Sequence, residues 1–126
     1  MVKTAKRKFG DWGEDQASLF LRQKGYRIIE RNYQTKRGEI DIVAEAVKPL
    51  HGKTLCFIEV KTRSGFPGSA QRATGYHKQT HLFAAAREYC LNGGVATERT
   101  PIQFEQVSIY QDKATGETSI FHYVIP

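Results

Sequence analysis

Two apolar runs in this chain are broken by charges at positions where a sheet would bury its side chains. Asp41 interrupts Ile40-Asp41-Ile42-Val43, and Glu59 and Lys61 interrupt Leu55-Cys56-Phe57-Ile58-Glu59-Val60-Lys61. A charge inside a buried strand costs on the order of several kcal/mol unless it is paired or bound to a metal. Each of these groups therefore needs a partner or a metal. Two acids and a lysine on neighbouring strands can share a divalent cation and hold a phosphate beside it.

One domain is expected over all 126 residues, long enough to bury about two-thirds of its unfolded surface. No stretch approaches the ~20 apolar residues of a membrane span, and no apolar signal-peptide core opens the sequence. The cytoplasm is the expected location, with no membrane role. Cys56 in an apolar strand and Cys90 near a helix end read as reduced core residues, not a disulfide framework.

The net charge of +6 is unevenly spread. Residues 1–37 hold ten Lys or Arg against four Asp or Glu, and residues 38–126 hold nine of each. Residues 1–8 read as a basic, flexible arm. Its Lys3, Lys6, Arg7 and Lys8 favour a phosphate backbone without sequence preference. A solvated tail that aids solubility is the competing reading.

The periodicities predict the order α-β-β-β-α-β-β, a mixed central sheet flanked by helices. Gly10 to Lys24 carries Trp12, Ala17, Phe20 and Leu21 at helical spacing, with Gly25 as a stop. Glu14 falls along that core-facing stripe. Tyr26 to Tyr33, Glu39 to Ala46 and Leu55 to Thr62 read as strands, the third central in the sheet. Val47 to Lys53 is expected to be a loop, Gly75 to Asn92 a helix, and Ile102 to Tyr110 and Thr118 to Ile125 strands. The second and third strands should form an antiparallel hairpin. The third and fourth should pair in parallel around the second helix. Alternation would put Glu39, Asp41 and Val43 on one face, and Phe57, Glu59 and Lys61 on one face. Whether Asp41 lies beside Glu59 depends on register.

Phosphodiester cleavage needs charge stabilisation at phosphorus and an activated water. Two carboxylates can hold Mg²⁺ or Mn²⁺ in an oxygen shell. A lysine on the same face can orient or deprotonate the water, or stabilise the developing charge. Glu14 adds a third acid if the first helix packs over the hairpin. The alternative is a structural Lys61–Glu59 or Lys61–Asp41 ion pair near a strand end.

Gly38-Glu39-Ile40-Asp41, followed by Phe57-Ile58-Glu59-Val60-Lys61-Thr62-Arg63, resembles the YraN-like family of small bacterial proteins. That family is grouped with PD-(D/E)xK nucleases and is similar to archaeal Holliday-junction resolvases. The resemblance takes in Gly13-Glu14, Gly25-Tyr26, Arg31-Asn32-Tyr33 and Lys78-Gln79. It implies a restriction-endonuclease-like fold, Asp41 and Glu59 as metal ligands, Lys61 as the catalytic lysine and Glu14 as an accessory acid. The fourth strand departs from the family pattern: Gln103-Phe104-Glu105 stands where Arg-Phe-Asp is usual, so a basic contact is missing there.

Arg63 after the third strand is the better phosphate candidate, given the resemblance. Lys78 either faces the hairpin site or is a solvated lysine. His77 and His81 stand one helical turn apart, but a third zinc ligand is missing and they read as surface histidines. Tyr33, Phe66 and Tyr76 either stack on unpaired bases or anchor loops to the core. The leading expectation is a metal-dependent endonuclease acting on DNA, on branched or damaged intermediates. The alternative is a catalytically silent nucleic-acid-binding or adaptor module, and a homodimer is left open.

Overall fold

The structure, a computed structural model, describes residues 2–65 and 76–126, the side chains of residues 76–80 excepted. Helix α1 spans Ala5–Gln23, strand β1 Arg27–Thr35, β2 Gly38–Lys48 and β3 Gly52–Ser64. Helix α2 spans Tyr76–Gly93, β4 Ile102–Gln111 and β5 Thr118–Ile125. The element order is the one expected. The first helix, however, starts at Ala5 and not at Gly10, so Lys6, Arg7 and Lys8 lie in helix and not in a flexible arm. The reason is Thr4, whose hydroxyl oxygen accepts the Arg7 backbone N–H at 3.1 Å and caps the helix. At the other end Gly25 adopts φ +93°, and the Tyr26 N–H returns to the Leu21 carbonyl at 3.0 Å.

The five strands form one sheet in the order β1-β2-β3-β4-β5. The β1–β2, β2–β3 and β4–β5 pairs are antiparallel, and β3–β4 is parallel, so the sheet is mixed and β3 is central. The expected loop between the second and third strands shrinks to Pro49–His51, because Gly52 at φ +69° closes a tight turn. Among the described residues no helix is long and apolar enough to cross a membrane. Cys56 and Cys90 are free and buried, as expected.

Each face of the sheet is covered by one helix. Ala17 and Leu21 of α1 pack with Ile42, Ala44, Ala46, Cys56, Ile58, Val107 and Ile109. Leu82, Ala85, Ala86 and Cys90, at helical spacing on α2, pack with Ile40, Val43, Leu55 and Phe57. Ile40 and Ile42 therefore face opposite sides, although strict alternation would put them together. Glu39 and Asp41 fall on the α1 side and Val43 on the α2 side, which corrects the expectation that the three share a face. The break coincides with Asn32 on the neighbouring strand, whose φ of +56° lies in the left-handed region. Asn tolerates that conformation better than other side chains with a β-carbon. Along β3 the alternation is intact: Ile58 and Val60 pack on the α1 side, and Phe57 on the α2 side.

Gly13 sets how closely α1 approaches the sheet. A β-carbon there would lie 1.9 Å from the Thr62 Oγ1 and 2.8 Å from the Thr62 Cβ. Only glycine lets the helix touch β3 at this point, and the next residue on the helix is Glu14.

Candidate functional site

β2 and β3 pair from Lys48↔Gly52 to Ile42↔Ile58. One step further Asp41 comes opposite Glu59, and there the backbone ladder ends. The Asp41 Oδ2 accepts the Val60 N–H at 2.8 Å, a donor that a continuing ladder would give to a β2 carbonyl. Asp41 thus sits in the fork where the two strands part; the register brings its backbone level with Glu59, but the two side chains leave the sheet on opposite faces.

Glu14 from α1 and Glu39 from β2 join it. Ligand oxygens of Glu14, Glu39 and Asp41 all lie within 4.8 Å of one another. Glu14 reaches the fork because Gly13 allows the close approach. Glu39 reaches it because β2 breaks alternation beyond Ile42. Glu39 was not among the site residues expected from the sequence. The available signal was its position two residues before Asp41 on the same strand.

Glu59 and Lys61 lie on the α2 side of β3, by the intact alternation. The Lys61 ammonium pairs with the Glu59 Oε1 at 2.8 Å, so one of the two ion pairs considered from the sequence does form. Glu59 stands outside the 4.8 Å group of three acids. It is still close enough to act on Asp41 electrostatically. The Glu14 Oε1 and the Glu59 Oε2 are both buried with no hydrogen-bond partner. A buried carboxylate oxygen left unsatisfied costs at least 1–3 kcal/mol by rough estimate.

The electrostatics follow from this crowding. Burial pushes the Asp41 carboxyl up to about 7, the Val60 N–H pulls it down, and Glu14, Glu59 and Glu39 push it up again. Burial likewise raises Glu14, Arg31 opposes it, and Glu39 and Asp11 add to it. Four acids near one fork repel one another. An all-oxygen carboxylate set of this kind suits a hard divalent cation, which would relieve both the repulsion and the orphaned oxygens.

The basic residues divide into two groups. Lys6 and Arg7 line a surface cavity of about 340 Å³ together with Glu14, Glu39 and Asp41. Lys3 is drawn onto Asp11 at 2.6 Å. Lys8 is exposed on α1 and does not line the cavity. Arg63 is half-buried, two residues beyond Lys61 on β3. The side chains of Lys78, His77 and Tyr76, and all of Phe66, lie outside the described residues. The His81 Nδ1 is 3.0 Å from the Arg37 carbonyl, a turn anchor. Tyr33 packs edge-on against Tyr89 with ring centroids 4.9 Å apart, which settles it as a core residue. Glu105, where the fourth strand departs from the family pattern, is buried away from the fork among Tyr26, Lys48 and His122.

The model of the Uncharacterised protein family UPF0102 matches residues 13–109, a stretch that contains Glu14, Glu39, Asp41, Glu59 and Lys61. The chain is 35% identical over 112 residues to a UPF0102 protein of Desulforapulum autotrophicum, covering 88% of this chain and 87% of that protein. It is 36% identical over 104 residues to one of Alkaliphilus oremlandii, covering 82% and 85%. A third, of Roseiflexus castenholzii, is 36% identical over 116 residues, covering 91% and 89%. These agree with the YraN-like resemblance carried by the Gly-Glu-Ile-Asp and Glu-Val-Lys-Thr-Arg segments. The chain belongs to the family UPF0102.

Proposed function

We propose that this chain is a metal-dependent endonuclease of the PD-(D/E)xK, restriction-endonuclease-like kind, hydrolysing phosphodiesters in DNA. The observation that carries the reading is Asp41 in the β2–β3 fork with three further acids near it, two of which leave a buried oxygen without a hydrogen-bond partner. Glu14, Glu39 and Asp41 would hold Mg²⁺ or Mn²⁺, with Glu59 beside them. A cation there supplies charge stabilisation for a phosphoryl oxygen and lowers the pKa of water.

The remaining steps belong to the protein's own groups. Held against Glu59 at 2.8 Å, the Lys61 ammonium is a hydrogen-bond donor. Its role is then to stabilise negative charge developing at phosphorus and on the leaving oxygen, and not to accept a proton. Lys6 and Arg7 face the cavity that the acids share, where they can grip phosphates on either side of the scissile one. Cations in the first turn of a helix oppose its dipole, and bound phosphate removes that conflict. Arg63, two residues beyond Lys61 on β3, offers a further cation for the backbone on that face.

The test is a panel of single-stranded, duplex, forked and four-way DNA with Mg²⁺ or Mn²⁺. Cleavage is expected with wild type, with Asp41→Ala and Lys61→Ala each losing at least about a hundredfold. Mutants that cut as well as wild type would show the cleavage to be contamination. Binding that persists without cleavage would replace this reading with a non-catalytic nucleic-acid module.

A further inference from the structure

Strand β1 sends two consecutive side chains to the same acid. Arg31 and Asn32 would point to opposite faces of an ordinary strand. Here Asn32 has φ +56°, and both act on the Glu14 carboxylate, Arg31 through an ion pair and Asn32 as a polar neighbour. The Arg31 Nη2 lies 3.8 Å from the Glu14 Oε1, and the Asn32 side chain lies close enough to the Glu14 carboxylate to favour its ionised form. A non-glycine residue in the left-handed region stores backbone strain of about 1–3 kcal/mol and persists only where its surroundings enforce it.

The guanidinium itself is held by a third residue. Its Nη2 is 2.9 Å from the Asp15 Oδ1, a hydrogen-bonded ion pair with the helix residue next to Glu14. At 3.8 Å from Glu14, by contrast, it attracts the carboxylate without forming a hydrogen bond to Oε1. Glu14 is therefore steered from one side while its Oε1 remains buried and unspent. A carboxylate fixed in direction but with one oxygen left free is what a metal ligand requires.

We propose that Arg31, anchored by Asp15, and Asn32, turned by its left-handed backbone, are positioning residues that aim Glu14 at a divalent cation in the fork. The inference rests on the metal reading above and assigns roles to residues which that reading leaves unused.

Its test separates position from charge by the sign of an effect. Arg31 is a cation beside a cation site, so on charge alone its removal would tighten metal binding. If it acts by positioning Glu14, removal must weaken binding instead. Mn²⁺ affinity is measured by calorimetry on the folded full chain, with folding checked by circular dichroism. Arg31→Met is expected to weaken Mn²⁺ binding by about 10–100-fold, as for other outer-shell partners. Asn32→Gly keeps the permissive backbone and removes only the carboxamide, so it serves even if Arg31→Met fails to fold. It should weaken binding in the same direction. In a Glu14→Gln background neither change should have a further effect, since both act through that carboxylate. Variants that bind Mn²⁺ as tightly as wild type, or more tightly, would overturn the inference and leave the metal reading standing. Wild type that binds no Mn²⁺ would overturn both.

Discussion

Replacing Asp41 with Asn should stabilise the metal-free protein and abolish its response to Mg²⁺. Burial and the neighbouring acids hold the Asp41 carboxyl at about 7 in the folded chain, against an ordinary 3.8. An acid raised in this way destabilises the fold as it ionises. Below about pH 4 both states are protonated and nothing is lost. Between about 4 and 7 the unfolded chain has released a proton that the folded chain keeps, so stability falls as pH rises. Above 7 the full penalty is present, on the order of 3–5 kcal/mol. Asn retains an oxygen to accept the Val60 N–H and carries no charge. In EDTA at pH 8 its melting temperature should exceed that of wild type by roughly 10 °C. Adding Mg²⁺ should raise wild type, by about 2.7 kcal/mol at a hundred times Kd, and leave the variant unmoved. Equal melting temperatures in EDTA would show that the fork does not strain Asp41.

The second large effect concerns a cluster remote from the fork. Glu105 is fully buried and takes the Tyr26 hydroxyl at 2.9 Å, the Lys48 ammonium at 3.1 Å and the His122 Nε2 at 2.6 Å. The Lys24 ammonium lies 3.0 Å from the His122 Nδ1, which makes that nitrogen the acceptor and leaves Nε2–H to donate to Glu105. Tyr26 and Lys48 are also hydrogen-bonded to each other. Burial alone would push Glu105 up, but His122, Lys48 and Tyr26 outweigh it and hold the carboxyl at about 2. The sign is opposite to that of Asp41. Glu105 contributes stability above its unfolded value near 4.5, and that stability is lost as pH falls from there toward 2. Glu105→Gln leaves Lys48 half-buried without its anion and should destabilise by about 3–5 kcal/mol, read by chemical denaturation at pH 7. The gap to wild type should close as pH falls below about 4.5. A variant within about 0.5 kcal/mol of wild type at pH 7 would show the network to be dispensable.

Element order, the hairpin, the parallel β3–β4 pair and the central place of β3 follow from hydrophobic periodicity and turn residues. The same reading singled out Asp41, Glu59 and Lys61 but left open whether they meet, and the candidate cation group forms instead from Asp41 with Glu14 and Glu39. What periodicity could not supply was the face that Glu39 and Asp41 occupy. Alternation assumes an unbroken strand, and β1 and β2 break it where Asn32 turns left-handed. Asn permits that conformation without demanding it, so no local pattern announces the change. Glu39 opens its strand, and only the α1-side face it shares with Asp41 and Glu14 in the folded chain makes it a ligand candidate. The Glu105 network was equally hidden. Its partners come from Tyr26 just ahead of β1, from β2 and from β5, and only the assembled sheet brings them together. The helical start of the basic segment was missed because its cap is a single threonine followed by cations, against the usual dipole preference.

A divalent cation belongs in the β2–β3 fork if these carboxylates act as proposed. Crystals of the wild-type chain soaked in Mn²⁺ should give an anomalous peak within about 2.5 Å of carboxylate oxygens of Asp41 and Glu14, with Glu39 or Glu59 completing the shell. A fork without anomalous density, or a peak confined to acids elsewhere on the surface, would contradict it.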